Sequence, residues 1–245
     1  LKRAGVDYAQ VDPRFKRPYA AFTKSDQGAF DAVCYAVQLQ TGADLRRTGF
    51  YAVAPVSTST LRTATYTMWL ELVQQLSKEL PVLVLGQTYA KTPVADMTVR
   101  EFRAQLAEAG PRVVDMLDQT PTRTTMALLK HAKCVFCLDS GPLYMAQAYR
   151  TPAVSLWGTH HPGVRLGYDQ DYMELAVWHQ SMCPASPCYA HSGFPVERCP
   201  LGSQQRLCEP LRLVHAADLL TKLDLVKQRQ PSVGPFPRAG SQGHA

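Results

Sequence analysis

The sequence lacks the short fingerprints by which most nucleotide and hydrolase chemistry is found. It has no G-x-G-x-x-G and no G-x-x-x-x-G-K-[ST], which argues against fingerprint-type dinucleotide binding and Walker-type phosphate chemistry. G-x-S-x-G and H-E-x-x-H are also missing, and with the first goes serine-hydrolase chemistry. No apolar run approaches the length of a membrane span, and no signal-peptide pattern stands at the start. The chain opens on Leu1, a start that says little about targeting. There is no internal repeat, and no nucleic-acid motif accompanies the basic residues Lys2, Arg3, Arg14, Lys16 and Arg17, which read as a solvated surface.

What is present is ordinary globular material. The 245 residues are 46% hydrophobic and 19% charged, enough for one large domain or two small ones. Eighteen prolines against fifteen glycines imply many loops. A net charge of +6 favours anionic partners such as nucleotides, phosphorylated sugars or an anionic membrane face, without choosing among them.

Hydrophobic periodicity supplies the architecture. Phe30, Val33, Cys34 and Val37 form one helical face between Ser25 and Gln40, with Gly42 placed to end it. Five short apolar runs then alternate with helical patterns. The strands are FYAVAP (50–55), PVLVLG (81–86), RVVDML (112–117), CVFCL (134–138) and PAVSLWG (152–158). A helix around Trp69, Leu72, Val73 and Leu76 follows the first, and 98–110 carries Thr98 and Glu101 at capping-box spacing. Shorter helices occupy 122–132 and 142–149. Apolar strands alternating with amphipathic helices predict an α/β fold, a doubly wound parallel sheet covered on both faces. The expected units are a linker and helix over 1–46, a Rossmann-like domain over 47–180, a Cys-rich loop and terminal helix over 181–227, and a disordered tail over 228–245.

In such sheets ligands bind at the carboxyl ends of the strands, and three junctions there could carry chemistry. Asp139, Ser140, Gly141 and Pro142 end a buried strand and open a helix. Free N–H groups at a helix start favour an anion, and Gly141 lets a phosphate approach the backbone. An ordinary Asp/Ser helix cap fits the same spacing. Ser57, Thr58, Ser59 and Thr60 precede Arg62, a hydroxyl and guanidinium set suited to phosphate oxygens or to a plain polar loop. Thr159 and His160 follow Gly158, as ligand contacts or as surface residues; the adjacent His160 and His161 do not share a face, so they make no joint metal site.

Seven cysteines divide into two sets. Cys34, Cys134 and Cys137 sit in apolar patterns and read as buried thiols. Cys183, Cys188, Cys199 and Cys208 lie among Pro184, Pro187, Pro195 and Pro200 in an irregular loop. Four thiolates suit tetrahedral zinc, but paired C-x2-C knuckles are missing. Disulfides and packed reduced thiols are the alternatives, and the expectation is a structural role with no metal ligand assigned.

Taken in order, VAPVSTSTLRTATYTMW, PVLVLG and TPTRTTMALLKHAKCVFCLDSGPLYMAQAYRTPAVSLWGTHHP resemble the carboxy-terminal half of glycosyltransferase family 9, the lipopolysaccharide heptosyltransferases. The resemblance runs over roughly residues 47 to 225 and includes the cysteine segment and PLRLVHAADLLTKL. It implies the donor half of a GT-B enzyme, two Rossmann-like domains facing across a cleft, placed in the cytoplasm with a peripheral position at the inner membrane. The implied ligand is a nucleoside-diphosphate sugar, typically ADP-heptose, with a glycan or lipid-linked acceptor and no cofactor. The chemistry is attack of an acceptor hydroxyl on the anomeric carbon with a nucleoside diphosphate leaving. Arg62 would contact the diphosphate, Ser57 and Thr58 line the same loop, Asp139 hold sugar hydroxyls, and the Ser140–Gly141 backbone and Pro142 turn hold phosphate. Thr159 and His160 are further donor contacts. Tyr144 stands where the family usually has His, and Ala64 and Thr65 where it has Trp-Pro. Residues 1–46 resemble only the last helix and linker of the family's amino-terminal half, which holds the acceptor and the general base. A non-catalytic nucleotide-sugar-binding domain, or another sugar-nucleotide enzyme such as an epimerase, are the alternatives.

Overall fold

Alternation along each strand sends side chains to opposite faces, and here both faces are covered. In β1 (Tyr51–Ala54), Tyr51 and Val53 enter one core while Ala52 and Ala54 enter the other. In β4 (Cys134–Leu138), Cys134, Phe136 and Leu138 take the first core, Val135 and Cys137 the second. The computed structural model describes residues 20–88, 96–167, 169–189, 199 and 208–229. The expected linker before residue 20 and the tail from residue 230 lie outside the described residues.

With β2 (Val82–Val84), β3 (Val113–Asp115), β5 (Ala153–Trp157) and β6 (Ala176–Gln180), the strands form one six-stranded sheet of order β3-β2-β1-β4-β5-β6. Every pairing is parallel, with Tyr51 opposite both Val82 and Cys134, and Leu138 opposite Leu156. This is the Rossmann-like α/β arrangement that the alternating pattern predicts. The chain moves outward from β1 to β3, then returns to β1's other side with β4. Between β1 and β4 the strand order reverses, and a crevice opens at their carboxyl ends.

The first core lies under α3 (Tyr66–Ser77), α4 (Val99–Glu108) and α10 (Ala216–Arg229), which contribute Trp69, Phe102, Leu106, Leu219, Leu223 and Val226. The second lies under α1 (Lys24–Thr41), α5 (Thr122–His131), α6 (Gly141–Tyr149) and α8 (Gln170–Leu175). Phe30, Cys34 and Val37 form the buried face of α1, and Gly42 ends the helix in the left-handed conformation that glycine adopts without strain, φ 74°. Short helices α2 (Leu45–Thr48), α7 (Pro162–Arg165) and α9 (Glu209–Arg212) complete the described elements.

Two differences from the sequence reading stand out. β6 adds a sixth strand where five were expected; only Ala176 and Val177 of it are buried, Trp178 is partly buried, and the strand closes on the polar His179 and Gln180. α10 continues through Gln228 and Arg229, past the expected start of the tail. Among the described residues no helix is long and apolar enough to cross a membrane.

Candidate functional site

The crevice between β1 and β4 is a cleft of about 310 Å³. Its walls come from four junctions: Ala54 and Val56–Thr58 with Arg62 after β1, Gly86 and Gln87 after β2, Thr120, Thr122 and Thr125 at the start of α5, and Ser140–Pro142 with Met145 at the start of α6. Gly86 has φ 144°, a conformation that residues with a side chain rarely adopt, although an added Cβ would meet Leu117 and Val56 only at ordinary contact distance.

The loop after β1 is folded by its own hydroxyls. Ser57 Oγ accepts from the Ser59 N–H at 3.1 Å, and Thr63 Oγ1 donates to the Ser59 carbonyl at 2.8 Å. The 3₁₀ turn Thr60–Arg62 then brings Arg62 back over the strand end. Ser57 is buried and shapes the loop, while Thr58 is exposed at the cleft. Arg62 NH1 donates to the Asp139 carbonyl at 2.6 Å, which joins the ends of β1 and β4 across 77 residues of chain. The buried Arg62 Nε has no hydrogen-bond acceptor, and no carboxylate pairs with the guanidinium among the described residues.

The Asp139–Pro142 turn does not cap its own helix. Ser140 is the residue before α6, in extended conformation, yet its hydroxyl turns back to the Leu138 carbonyl at 3.3 Å. It makes no side-chain bond to the first turn of α6, and Pro142 has no N–H to offer. The helix-cap reading of this spacing is therefore not what the fold contains. α5 starts the same way, from Pro121 without a side-chain cap.

Asp139 departs furthest from its expected place. It is 2% exposed and does not line the cleft, so its carboxylate is not presented there to sugar hydroxyls. Oδ1 accepts from the Tyr144 hydroxyl at 2.8 Å, and Oδ2 faces His160 Nδ1 at 3.3 Å. Burial first, and then the Asp139 charge, push the Tyr144 phenol well above its usual value. Arg62 and Arg165 lie close enough to act on the same phenol in the opposite sense. One carboxylate stands among two guanidiniums, and the corner keeps an excess of positive charge.

Thr159 and His160 are also buried, at 2% and 3%, and neither lines the cleft. They stand behind the corner rather than at its face. Gln87, Thr120, Thr122, Thr125 and Met145 were not singled out in the sequence. The run TPTRTT carried a signal for three of them, as hydroxyls opening a helix after a buried strand, but one no stronger than an ordinary capped start. The four clustered cysteines are half-buried free thiols, and the Cys208 thiol is pushed up by burial and by the neighbouring Cys183, Cys188 and Cys199. Among the described residues no group of His, Cys, Asp and Glu side chains stands where it could hold a metal ion.

The sequence profile of glycosyltransferase family 9 (heptosyltransferase) matches residues 8–189. A sequence comparison with curated proteins finds no match. Among solved structures, the fold is similar to a family 9 glycosyl transferase from Veillonella parvula, with TM-score 0.58 and 10% identity over 87% of this chain and 55% of that one. It is similar to E. coli ADP-heptose lps heptosyltransferase II, with TM-score 0.57 and 16% identity over 87% of this chain and 54% of that one. It is also similar to TibC, an iron-containing dodecameric glycosyltransferase from enterotoxigenic E. coli, with TM-score 0.53 and 20% identity over 76% and 48%. The chain spans about half the length of these structures, and at such identities the likeness is one of fold.

Proposed function

The chain belongs to glycosyltransferase family 9, the heptosyltransferases, and on that premise we propose that its cleft takes the diphosphate of a nucleotide-sugar donor. The carrying observation is Arg62: a guanidinium in a cleft at the strand-order reversal, with a buried Nε unpartnered. Beside it α5 and α6 both begin without side-chain caps. A diphosphate would satisfy the cation and the uncapped helix starts together.

The reaction is sugar transfer. An acceptor hydroxyl attacks the anomeric carbon, the glycosidic bond to the donor breaks, and a nucleoside diphosphate leaves. Arg62 and the start of α6 stabilise the charge that builds on the leaving diphosphate. Asp139 shapes this corner from behind. The general base and the acceptor, a glycan or lipid-linked saccharide, belong to the facing half of a GT-B architecture. ADP-heptose is the donor named for E. coli heptosyltransferase II, and it is the donor we propose.

Titration calorimetry with ADP, UDP, GDP and inorganic pyrophosphate tests the reading. ADP should bind more tightly than pyrophosphate and the other nucleotides, and Arg62→Ala should cost about 1.5–3 kcal/mol, the range of hydrogen bonds to a charged group. Binding of none of these, or ADP affinity indifferent to Arg62, would refute it.

A further inference from the structure

The corner is held from behind by a residue that cannot reach the donor. His160 follows β5 by three residues, and β5 pairs with β4 directly beside Asp139. Its ring has a determined tautomer. Arg165 NH2 lies 3.0 Å from Nε2, and arginine can only donate, so Nε2 accepts and the proton is on Nδ1. Nδ1 faces Asp139 Oδ2 at 3.3 Å and Thr159 Oγ1 at 3.1 Å. The contact with Oδ2 is close but off the hydrogen-bond axis, for that oxygen has no hydrogen-bond partner of its own. The ring is clamped on another side by Tyr189, edge-on at 5.3 Å, whose N–H donates to the Thr159 carbonyl at 2.7 Å.

We propose that His160 is a positioning residue of the donor corner, holding Asp139, and through it Arg62, without touching the donor. This rests on the reading that the cleft takes a diphosphate. The chain of contacts is short. His160 fixes the orientation of the Asp139 carboxylate, with Tyr144 holding the other oxygen at 2.8 Å. The Asp139 main chain, tied to β5 by its N–H on the Leu156 carbonyl, presents the carbonyl that Arg62 grips at 2.6 Å. Oδ2 accepts no hydrogen bond as it stands, so the imidazole holds it by packing and by the Nδ1–H dipole 3.3 Å away; removing the ring leaves the buried carboxylate room to turn, and the turn moves with it. A shift there displaces Arg62 and the start of α6 together. A general-base role does not fit: His160 is 3% exposed and its acceptor nitrogen is taken by Arg165.

Three substitutions separate the two ring nitrogens. His160→Asn keeps an N–H donor in the place of Nδ1, His160→Gln carries its amide out to the place of Nε2 and leaves that of Nδ1 without a polar group, and His160→Ala keeps neither. ADP affinity by calorimetry and thermal midpoint are measured for each, with wild type and Arg62→Ala alongside. His160→Ala and His160→Gln should weaken ADP binding about threefold, less than the loss of a full hydrogen bond to a charged group, because none reaches Oδ2. His160→Asn should restore most of that loss even where its midpoint is no higher than that of His160→Gln. ADP affinity unchanged in all three, or following the midpoint rather than the retained nitrogen, would overturn the proposal. Failure of wild type to bind ADP, or indifference to Arg62→Ala, would instead remove the donor-cleft reading on which it rests.

Discussion

The starts of α1, α3 and α4 differ from those of α5 and α6. α1 and α4 open with complete capping boxes, Thr23 with Asp26 and Thr98 with Glu101, each pair exchanging hydrogen bonds between side chain and backbone. α3 is closed as well, by Thr65 and by Asp96, whose carboxylate takes the Tyr66 and Thr67 N–H groups at 2.7 and 3.0 Å. α5 and α6 have no such closure, and both line the cleft. The short α9 also starts without a side-chain cap, at Cys208, so an open start is not confined to the cleft; what the cleft adds is two of them beside Arg62, one at a Ser140 placed to provide a cap. Uncapped helix starts beside a guanidinium that no carboxylate pairs with among the described residues mark this corner better than any motif.

Breaking the comparison at its strongest point gives the largest effect. Arg62→Ala should lower ADP affinity about ten- to hundredfold, as loss of charge-assisted hydrogen bonds implies. Its thermal midpoint should change little, since among the described residues its side chain makes one hydrogen bond, to the Asp139 carbonyl.

Gly141→Ala sharpens the contrast between folding and binding. An added Cβ would lie 4.0 Å from Met145 Cε, ordinary contact, so the variant should fold as well as wild type. It should nonetheless bind ADP about fivefold more weakly, the scale of losing one neutral-donor hydrogen bond at about 1 kcal/mol, because the side chain crowds the phosphate. Thermal melts and calorimetry on one preparation check both halves.

Thr98→Ala is the mirror image. It removes a cap at about 1 kcal/mol of stability and should leave ADP affinity at the wild-type value. Urea denaturation and calorimetry give the two numbers.

The smallest effect is in pH. The Thr98 backbone N–H and then its hydroxyl hold Glu101 below its ordinary 4.5. A carboxylate depressed in the folded state adds stability that is fully present above the unfolded value and lost as pH falls through the folded one. The closure of α4 should therefore hold at pH 5–8 and weaken below 4.5, and Glu101→Gln should flatten the acid limb of the stability curve there. The Asp26 carboxylate, lowered first by the Thr23 hydroxyl and helped by Arg123, should contribute a second part of the same limb.

The fold was legible where periodicity is strong. β4 lies at its expected bounds, and the Thr98 box is present as its spacing predicts. β6 was not, because an edge strand whose apolar run is only Ala176–Trp178 before His179 and Gln180 is too short to read. At the site, Arg62 and the Ser140–Gly141–Pro142 turn were visible as residues at strand ends, and the cleft contains them. The burial of Asp139 was invisible, since it depends on His160 arriving from the next strand and on Tyr144 one helical turn along. Spacing reports which residues share a junction; it does not report which of them face inward.

Amide NMR during titration with ADP tests the contrast between open and closed helix starts most directly. The account predicts saturating shifts at the Gly141 amide and at Thr122 and Thr125, with Val99 and Glu101 unmoved, and loss of those shifts in Arg62→Ala. Saturable ADP binding that leaves Gly141 still while moving amides away from the β1–β4 crevice would contradict it.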